Sequence, residues 1–304
     1  MKYLSVQNIS RSYGKIQAVI DFSLEIDRGE IFSLVGPDGA GKTSLIRIMC
    51  HLADADSGQM FLDGRDAFAN FDEIKPLLGY MPQQFSLYPD LSVEENLKFY
   101  GGIFGVTGKE FREKREALYE FSALGPFAKR RAGALSGGMK QKLALSCALI
   151  HNPKLLILDE PTTGVDPLSR RQFWEILLQL KRDGATIVVS TPYMDEVARA
   201  DRACFIFGGK KLSEGTPDVL AAEFEGKIYF ADHEPNSEIV TALNSIEGLS
   251  ARRFGAGLRI YIDRDSRIES FGGQLQSAGI AGEKLKQIPP ELEDRFIQLM
   301  GTAG

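Results

Sequence analysis

The apolar positions of the chain follow two different periods. In Tyr3-Leu4-Ser5-Val6, and again in Phe22-Ser23-Leu24-Glu25-Ile26, apolar and polar residues alternate, so Met1 to Glu30 is expected to form strands joined by turns. Ile31 to Val35 is apolar almost throughout, the pattern of a strand covered on both faces. A glycine-rich turn and a helical segment from Lys42 to about Cys50 follow it. Between Pro76 and Leu135 the spacing of Val93, Asn96, Leu97 and Tyr100, and of Phe111, Arg115, Leu118 and Phe121, is helical, with breaks at Gly101, Gly102 and Gly108. This predicts a helical insert in the core. Leu155 to Leu158 is too short for a helix and is bracketed by Pro153 and Pro161, hence a buried strand, and Thr186 to Val189 is another. Pro167 to Leu180 between them is helical, with Phe173, Ile176, Leu177 and Leu180 on one face. Strand, helix, strand implies a parallel crossover and a sheet that is parallel at its centre.

From about Gly226 the pattern changes to a strand (Lys227 to Ala231), a helix (Glu238 to Ile246), two strands meeting near Gly255 and Gly257, a helix (Ile268 to Ala278), and a last strand and helix. That is the order of a ferredoxin-like split unit. The fold class is therefore α/β over residues 1–225, with a small α+β domain over 226–304. The second part shows no chemistry of its own and reads as a stabilising or dimerising appendage.

Length and charge narrow the function classes. The 304 residues suit two domains. Lys plus Arg number 36 against 41 Asp plus Glu, a net charge of -5, so no basic field draws the chain to nucleic acid. The apolar stretch Leu143 to Ile150, broken only by Ser146, falls far short of the ~20 residues that cross a bilayer, and the first residues contain no secretion-signal core. The expected location is the cytosol. Cys50, Cys147 and Cys204 lie far apart in apolar segments, which suits buried thiols rather than disulfides or a zinc site.

The chemistry begins at Gly36-Pro37-Asp38-Gly39-Ala40-Gly41-Lys42-Thr43, which matches G-x-x-x-x-G-K-[ST] and stands between an apolar strand and a helix. Glycines let successive backbone N–H groups curl around phosphate oxygens, and the helix start adds its dipole. Lys42 can reach the outer phosphates and Thr43 can ligate Mg²⁺. A second element, Asp159-Glu160, ends the buried strand Leu155 to Leu158, where open α/β sheets bind ligands. There Asp159 can support Mg²⁺ and Glu160 can act as general base toward water. By itself such a pair before a proline is more often a solvated strand end; beside a phosphate loop it reads as the other half of a site. Third, Leu135-Ser136-Gly137-Gly138-Met139-Lys140-Gln141 precedes a helix through Leu143, Leu145, Ala148 and Leu149. Taken alone it is a serine N-cap. As a second anion-binding helix start it is hard to use within one nucleotide pocket, which suggests action in trans.

Over residues 1 to about 225 the chain resembles the nucleotide-binding subunit of an ABC transporter, on the ordered set Tyr13, the loop ending in Lys42-Thr43, Gln83 in Tyr80-Met81-Pro82-Gln83, Ser136-Gly137-Gly138, Asp159-Glu160 and Gly164-Val165-Asp166. The resemblance implies a P-loop ATPase core with an antiparallel β subdomain and a helical subdomain over about 76–135. It implies that two such units sandwich two ATP molecules head to tail. Gly36, Pro37, Asp38, Gly39, Ala40, Gly41, Lys42, Thr43 and Ser44 would hold the phosphates of one ATP, Tyr13 would stack on its adenine, and Ser136, Gly137 and Gly138 of the mate would close the site. Thr43, Gln83 and Asp159 would attend Mg²⁺, Glu160, Gln83 and Lys42 would carry catalysis, and Asp166 would make a contact across the dimer. The implied partners are a second ATPase subunit or fused half and a multi-span membrane permease, which places the chain on the inner face of the cell membrane. Cargo specificity would lie with the permease.

One departure stands out. The family normally carries histidine after Ser-Thr in a strand-to-helix turn, whereas here Ser190-Thr191 is followed by Pro192-Tyr193-Met194-Asp195-Glu196. Proline is comfortable at a first helical position, so chemistry loses more than stability does. His51, His151 and His233 lie elsewhere in the pattern and read as surface or helix-end residues. The expectation is a weakened composite site on this chain's own loop, with Ser136-Gly137-Gly138 completing a stronger site on a partner; the alternative is a regulatory ATP-binding half with little turnover. A weaker resemblance, carried by Gly36-Pro37-Asp38-Gly39, Ser190 to Glu196 and Pro290-Glu291-Leu292-Glu293-Asp294-Arg295-Phe296, is to the first half of multidrug exporters in which two ATPase halves are fused. It implies a second half after Gly304 or from a neighbouring gene. A soluble ABC protein of translation or DNA repair would carry long insertions, a coiled coil or basic arms, which this sequence lacks. A phosphoryl-transfer kinase would leave the helix start at Ser136 unexplained.

Overall fold

The structure is a computed structural model that describes residues 2–280, 282 and 285–303; Met1, expected in the first strand, and Gly304 lie outside the described residues. The chain divides into two compact units, Met1–Pro217 and Asp218–Gly304. The division falls before the expected 225/226 boundary. The break falls at Gly215-Thr216-Pro217, whereas Gly226 is conspicuous for another reason: at φ 127° a Cβ on it would stand 2.5 Å from the Ile262 carbonyl oxygen, inside the second unit.

The first unit opens with two long strands, β1 (Lys2–Tyr13) and β2 (Ile16–Asp27), then β3 (Ile31–Val35), the phosphate loop and α1 (Lys42–Met49). Next come β4 (Ser57–Leu62), β5 (Arg65–Asp66), the short helix α2 (Phe71–Ile74) and β6 (Leu78–Met81). The helical part holds α3 (Val93–Ile103), α4 (Gly108–Ser122) and α5 (Gly137–Leu149), and the core resumes with β7 (Leu155–Asp159), α6 (Pro167–Arg182), β8 (Thr186–Thr191), α7 (Met194–Val197), β9 (Arg202–Phe207) and β10 (Lys210–Gly215). Strands β2-β1-β4-β5 form an antiparallel sheet. The central sheet has the order β10-β9-β3-β8-β7-β6, parallel except for β10.

Alternation within the apolar strands decides which side each residue covers. Leu155 and Ile157 join α1 and the antiparallel sheet in one core, while Leu156 and Leu158 pack with Phe173, Trp174 and Leu177 of α6 on the other face. A strand buried on both sides has no position left for a polar residue, which is why these runs read as continuous apolar sequence. The helical part has its own core around Leu97, Phe111, Leu118 and Leu143. Its first helix starts with a capping box, the Ser92 hydroxyl accepting from the Glu95 N–H while the Glu95 carboxylate accepts from the Ser92 N–H.

The helical insert begins later than the expected residue 76. Leu78–Met81 is β6, paired in parallel with β7 in the register Leu78↔Leu155. Four residues are too few for a period to separate strand from helix. Gly79 permits the close fit of α5 against this edge, since a Cβ there would lie 2.7 Å from the Ala148 carbonyl oxygen. The helical core also extends past Leu135, because Leu143 and Cys147 of α5 complete it. The three cysteines are free and buried, as expected, and burial pushes each thiol above its ordinary range.

The second unit contains α8 (Pro217–Ala222), apart from its first residue, then β11 (Lys227–Ala231), α9 (Ser237–Asn244), β12 (Leu249–Phe254), β13 (Gly257–Ile262), α10 (Gly272–Ser277), β14 (Leu285–Ile288) and α11 (Leu292–Ala303). Its sheet is antiparallel in the order β12-β13-β11-β14, the arrangement of a ferredoxin-like unit. Leu243, Leu258, Ile260 and Leu275 form its core. Opposite them Arg259, 3% exposed, donates to both oxygens of the buried Asp294, which also accepts from the Tyr261 hydroxyl at 2.8 Å.

Candidate active site

The C-terminal ends of β3, β7 and β8 bring the predicted residues together. The loop after β3 turns sharply at Gly41, whose φ of 107° is in the left-handed region and whose missing Cβ would otherwise meet the Ala18 carbonyl oxygen at 2.3 Å. Gly36 is equally confined, with the Ile206 carbonyl oxygen 2.3 Å from where a Cβ would sit. A close-fitting glycine loop capping α1 leaves its backbone N–H groups for an anion. Lys42, 3% exposed, folds back over this loop, donating to the Gly36 and Pro37 carbonyl oxygens at 2.7 and 3.0 Å.

Its third partner is Glu160, with Nζ to Oε1 at 2.9 Å. The other carboxylate oxygen of Glu160 accepts from Gln83 Nε2 at 2.9 Å and from Thr163 Oγ1 at 3.2 Å. Gln83 reaches this position because it follows β6 at the edge of the same parallel sheet. Glu160 itself has φ 46°, an uncommon conformation for a residue with a long side chain. The Ser190 hydroxyl holds it there by accepting from its backbone N–H at 2.9 Å.

Asp159 occupies the last position of β7, opposite Ser190 in the register. It accepts from Ser190 Oγ at 2.7 Å and from Thr43 Oγ1 at 3.3 Å. Burial raises its carboxyl above the ordinary range, against the hydrogen bonds from Ser190 and Thr43; the neighbouring Glu160 charge raises it further and Lys42 lowers it. The Thr43 hydroxyl and the Asp159 carboxylate are a pair of hard oxygen donors, the donor set that suits Mg²⁺ shared with phosphate. Among the described residues no group of three or more His, Cys, Asp or Glu forms a metal cage.

The remaining predicted residues stand apart. Tyr13 ends β1, 42% exposed, with the Arg11 guanidinium 5.0 Å from its ring centroid. Ser136 is the N-cap of α5, its hydroxyl accepting from the Met139 N–H at 3.4 Å. Gly138 lies against the start of α6, where a Cβ would be 2.6 Å from Ser169 Oγ. Asp166 caps α6 by accepting from the Ser169 N–H at 2.9 Å, and hydrogen bonding by the Ser169 side chain and backbone holds its carboxyl below the usual range. Among the described residues no hydrogen bond or ion pair joins Tyr13 or Ser136 to Lys42. Of the histidines, His51 stacks on Phe71, His151 stacks on Phe104 and bonds the Leu78 carbonyl oxygen, and His233 lies in the second unit. Ser190 and Thr163 are the site residues that sequence reasoning missed. The signal for Ser190 was its place at the end of an apolar strand, one step before the exceptional turn.

A mostly apolar groove of about 410 Å³ is lined among others by Tyr80, Met81, Pro82, Tyr100, Phe104 and Cys147. No helix among the described residues is long and apolar enough to cross a membrane.

With this geometry in place, comparison with known proteins is direct. The family model described as ABC transporter matches residues 19–163. The chain is 38% identical over 290 residues to the probable multidrug ABC transporter ATP-binding protein YbhF of Escherichia coli (strain K12), covering 94% of this chain and 50% of that protein. It thus spans about half the length of the first curated relatives it matches. It is 37% identical over 302 residues to the Nod factor export ATP-binding protein I of Sinorhizobium fredii, covering 98% of this chain and 86% of the relative. A solved ATP-binding subunit of an ABC transporter superposes with a TM-score of 0.65 at 28% identity, over 72% of this chain and 91% of that one. A dimeric bacterial ABC transporter cassette gives 0.65 at 27% identity, over 70% of this chain and 98% of that one. The phosphate loop, the Asp159-Glu160 strand end and these likenesses together assign the chain to the ATP-binding proteins of ABC transporters.

Proposed function

We propose that this chain binds and hydrolyses ATP to drive export through a separate multi-span membrane permease, acting as one half of a head-to-tail ATPase pair. The observation that carries the reading is the convergence of Lys42, Thr43, Gln83, Asp159 and Glu160 at adjoining strand ends. The loop N–H groups and Lys42 receive the phosphates. Glu160 accepts a proton from water as the water oxygen attacks the γ-phosphorus, the bond to the bridging oxygen breaks, and ADP and phosphate leave. Thr43 and Asp159, with Gln83, would hold Mg²⁺, which supplies neutralisation of phosphate charge when bound. Tyr13 offers an exposed ring for adenine, and the exposed helix start at Ser136, Gly137 and Gly138 is available to a mate's nucleotide. The apolar groove lined by Tyr80, Met81 and Pro82 is suited to a permease segment, and since Pro82 adjoins Gln83 in the chain, docking there would be felt at the carboxylate that Gln83 holds. Export is the role printed in the name of the Nod factor export ATP-binding protein I to which this chain is similar, and it comes to this chain from there.

The test is phosphate release by the purified chain, with and without its co-purified membrane partner, against Lys42→Ala. Release that depends on Lys42 supports the reading; nucleotide-independent behaviour, or no membrane partner on purification, refutes it. A second reading, a regulatory half with little turnover, is favoured by Pro192. No imidazole stands in that turn, and His51 and His151 have ring or carbonyl partners elsewhere. If Pro192→His raises turnover several-fold, the weakened-site reading stands; if wild-type turnover is brisk and indifferent to the change, it falls.

A further inference from the structure

Behind the candidate site lies a carboxylate that the chemistry above does not use. Glu196, on α7, is 2% exposed. Its Oε1 accepts from Thr162 Oγ1 at 2.7 Å and its Oε2 from Thr191 Oγ1 at 2.6 Å. The nearest cation is Arg170, whose Nη1 is 4.0 Å from Oε1 and whose guanidinium covers the Tyr193 ring at 4.3 Å. A carboxylate so placed is an expensive way to fill space, because burial penalises its charge and an apolar side chain would pack there without that cost. What it joins is therefore the question.

Thr162 is two residues beyond Glu160 in the chain. Thr191 ends β8 and precedes Pro192. Arg170 is in the first turns of α6, just after Asp166. One side chain thus ties together three segments that arrive at the reacting end of the sheet. The tie matters more in this chain because Pro192 has neither an N–H nor a polar side chain with which to fix its own turn. Thr191 Oγ1 takes over that work, donating to Glu196 while accepting from the Tyr193 N–H at 3.1 Å. On the other side, Glu160 keeps its φ of 46° only while its surroundings over-determine it. Ser190 holds its N–H, and Glu196 anchors Thr162 two residues later.

We propose that Glu196 is a positioning residue: it acts through Thr162 and Thr191 to hold the Glu160 carboxylate and the Pro192 turn in one fixed relation, without touching nucleotide. This deepens the ATPase reading above and rests on it. The expected signature is a loss in turnover with ATP affinity preserved, since the partners of Glu196 are Thr162, Thr191 and Arg170, none of them in the phosphate loop.

The test uses the full chain with its membrane partner, ATP with Mg²⁺, and four variants: Glu196→Leu, Glu196→Gln, Thr162→Val and Thr191→Val. Glu196→Leu is expected to lower kcat by about 10- to 100-fold, the scale of a displacement near 1 Å at a reacting group, with KM and the affinity for a fluorescent ATP analogue changed less than about twofold. Glu196→Gln can accept from one threonine and donate to the other, and should recover most of the loss. Each valine variant should lower kcat in part, and these remain informative if the leucine variant does not fold. Unchanged kcat in all four, or losses that track ATP affinity and thermal midpoint with no recovery in Glu196→Gln, overturns the positioning role while leaving ATP hydrolysis standing. Absence of Lys42-dependent phosphate release in the unaltered chain overturns the ATPase reading, and this proposal with it.

Discussion

Lys42 Nζ and Glu160 Oε1 stand 2.9 Å apart, with both side chains almost fully buried. An ammonium has three donors, and here the Gly36 and Pro37 carbonyl oxygens and this carboxylate take all of them. A phosphate entering the loop must take over at least one, and the partner of the same chemical kind is the carboxylate. Phosphate arrival would therefore release Glu160 from Lys42. Glu160→Gln leaves the lysine charge without its counter-ion, so the nucleotide-free thermal midpoint should fall, and saturating ATP should raise it by more than it raises the unaltered chain. The same variant should lose about 10²- to 10⁴-fold in turnover. A wild-type-sized ATP shift in the melting curve would count against the exchange.

Gly41→Ala tests the loop without touching a charge. Its φ of 107° and the Ala18 carbonyl oxygen at 2.3 Å leave no place for a methyl group. The expected outcome is a loss of about 1–3 kcal/mol in stability and at least a tenfold weaker grip on a fluorescent ATP analogue, both measured on the full chain. Gly39→Ala is the control: its φ of 78° is strained, but no atom lies within 4 Å of an added Cβ, so its effect should be smaller.

In the second unit the Arg259–Asp294 pair makes a clear stability prediction. The two side chains are 3% and 1% exposed. Asp294→Ala leaves a buried guanidinium whose Nε already has no partner and whose remaining anion is the exposed Glu291 at 2.6 Å, and should cost about 1–3 kcal/mol. Limited proteolysis should then cut within residues 218–304 first. Replacing both residues with apolar side chains should recover much of the loss.

His151 gives a pH dependence of known sign. Burial holds its ring below the ordinary value of 6.5, with the Lys114 charge adding to this against the hydrogen bond to the Leu78 carbonyl oxygen. The ring is neutral in the fold and takes up its proton more readily in the unfolded chain. Its contribution is therefore present above the unfolded value and lost as pH falls below it. Between roughly pH 7 and roughly pH 5 the melting temperature of the unaltered chain should fall more steeply than that of His151→Gln. Parallel curves would remove His151 from the acid response.

The residues that bear charge or need glycine were the legible part of the site. Lys42 was identifiable from the glycine-rich loop pattern and Asp159 and Glu160 from the abrupt end of an apolar strand, and the parallel order of β3, β8 and β7 then brings them together. Ser190 and Thr163 were not, since a hydroxyl contributes only through a partner that sequence does not show, here the Asp159 carboxylate or the Glu160 N–H and carboxylate. The strand Leu78–Met81 was hidden for another reason. Its pairing with β7 is made across the whole helical part, and nothing local in Leu-Gly-Tyr-Met distinguishes it from the helices that follow. The ferredoxin-like order of the second unit was readable because its turns are marked by Gly255 and Gly257, and because each of its strands is followed by a break.

That hidden strand has a mechanical consequence. Because β6 is hydrogen-bonded into the central sheet while the chain runs on into α3, 11 residues long, and α4, 15 residues long, Gln83 sits at the passage from sheet to helices. A displacement of those helices relative to the sheet would pass through the residues that carry the amide gripping Glu160.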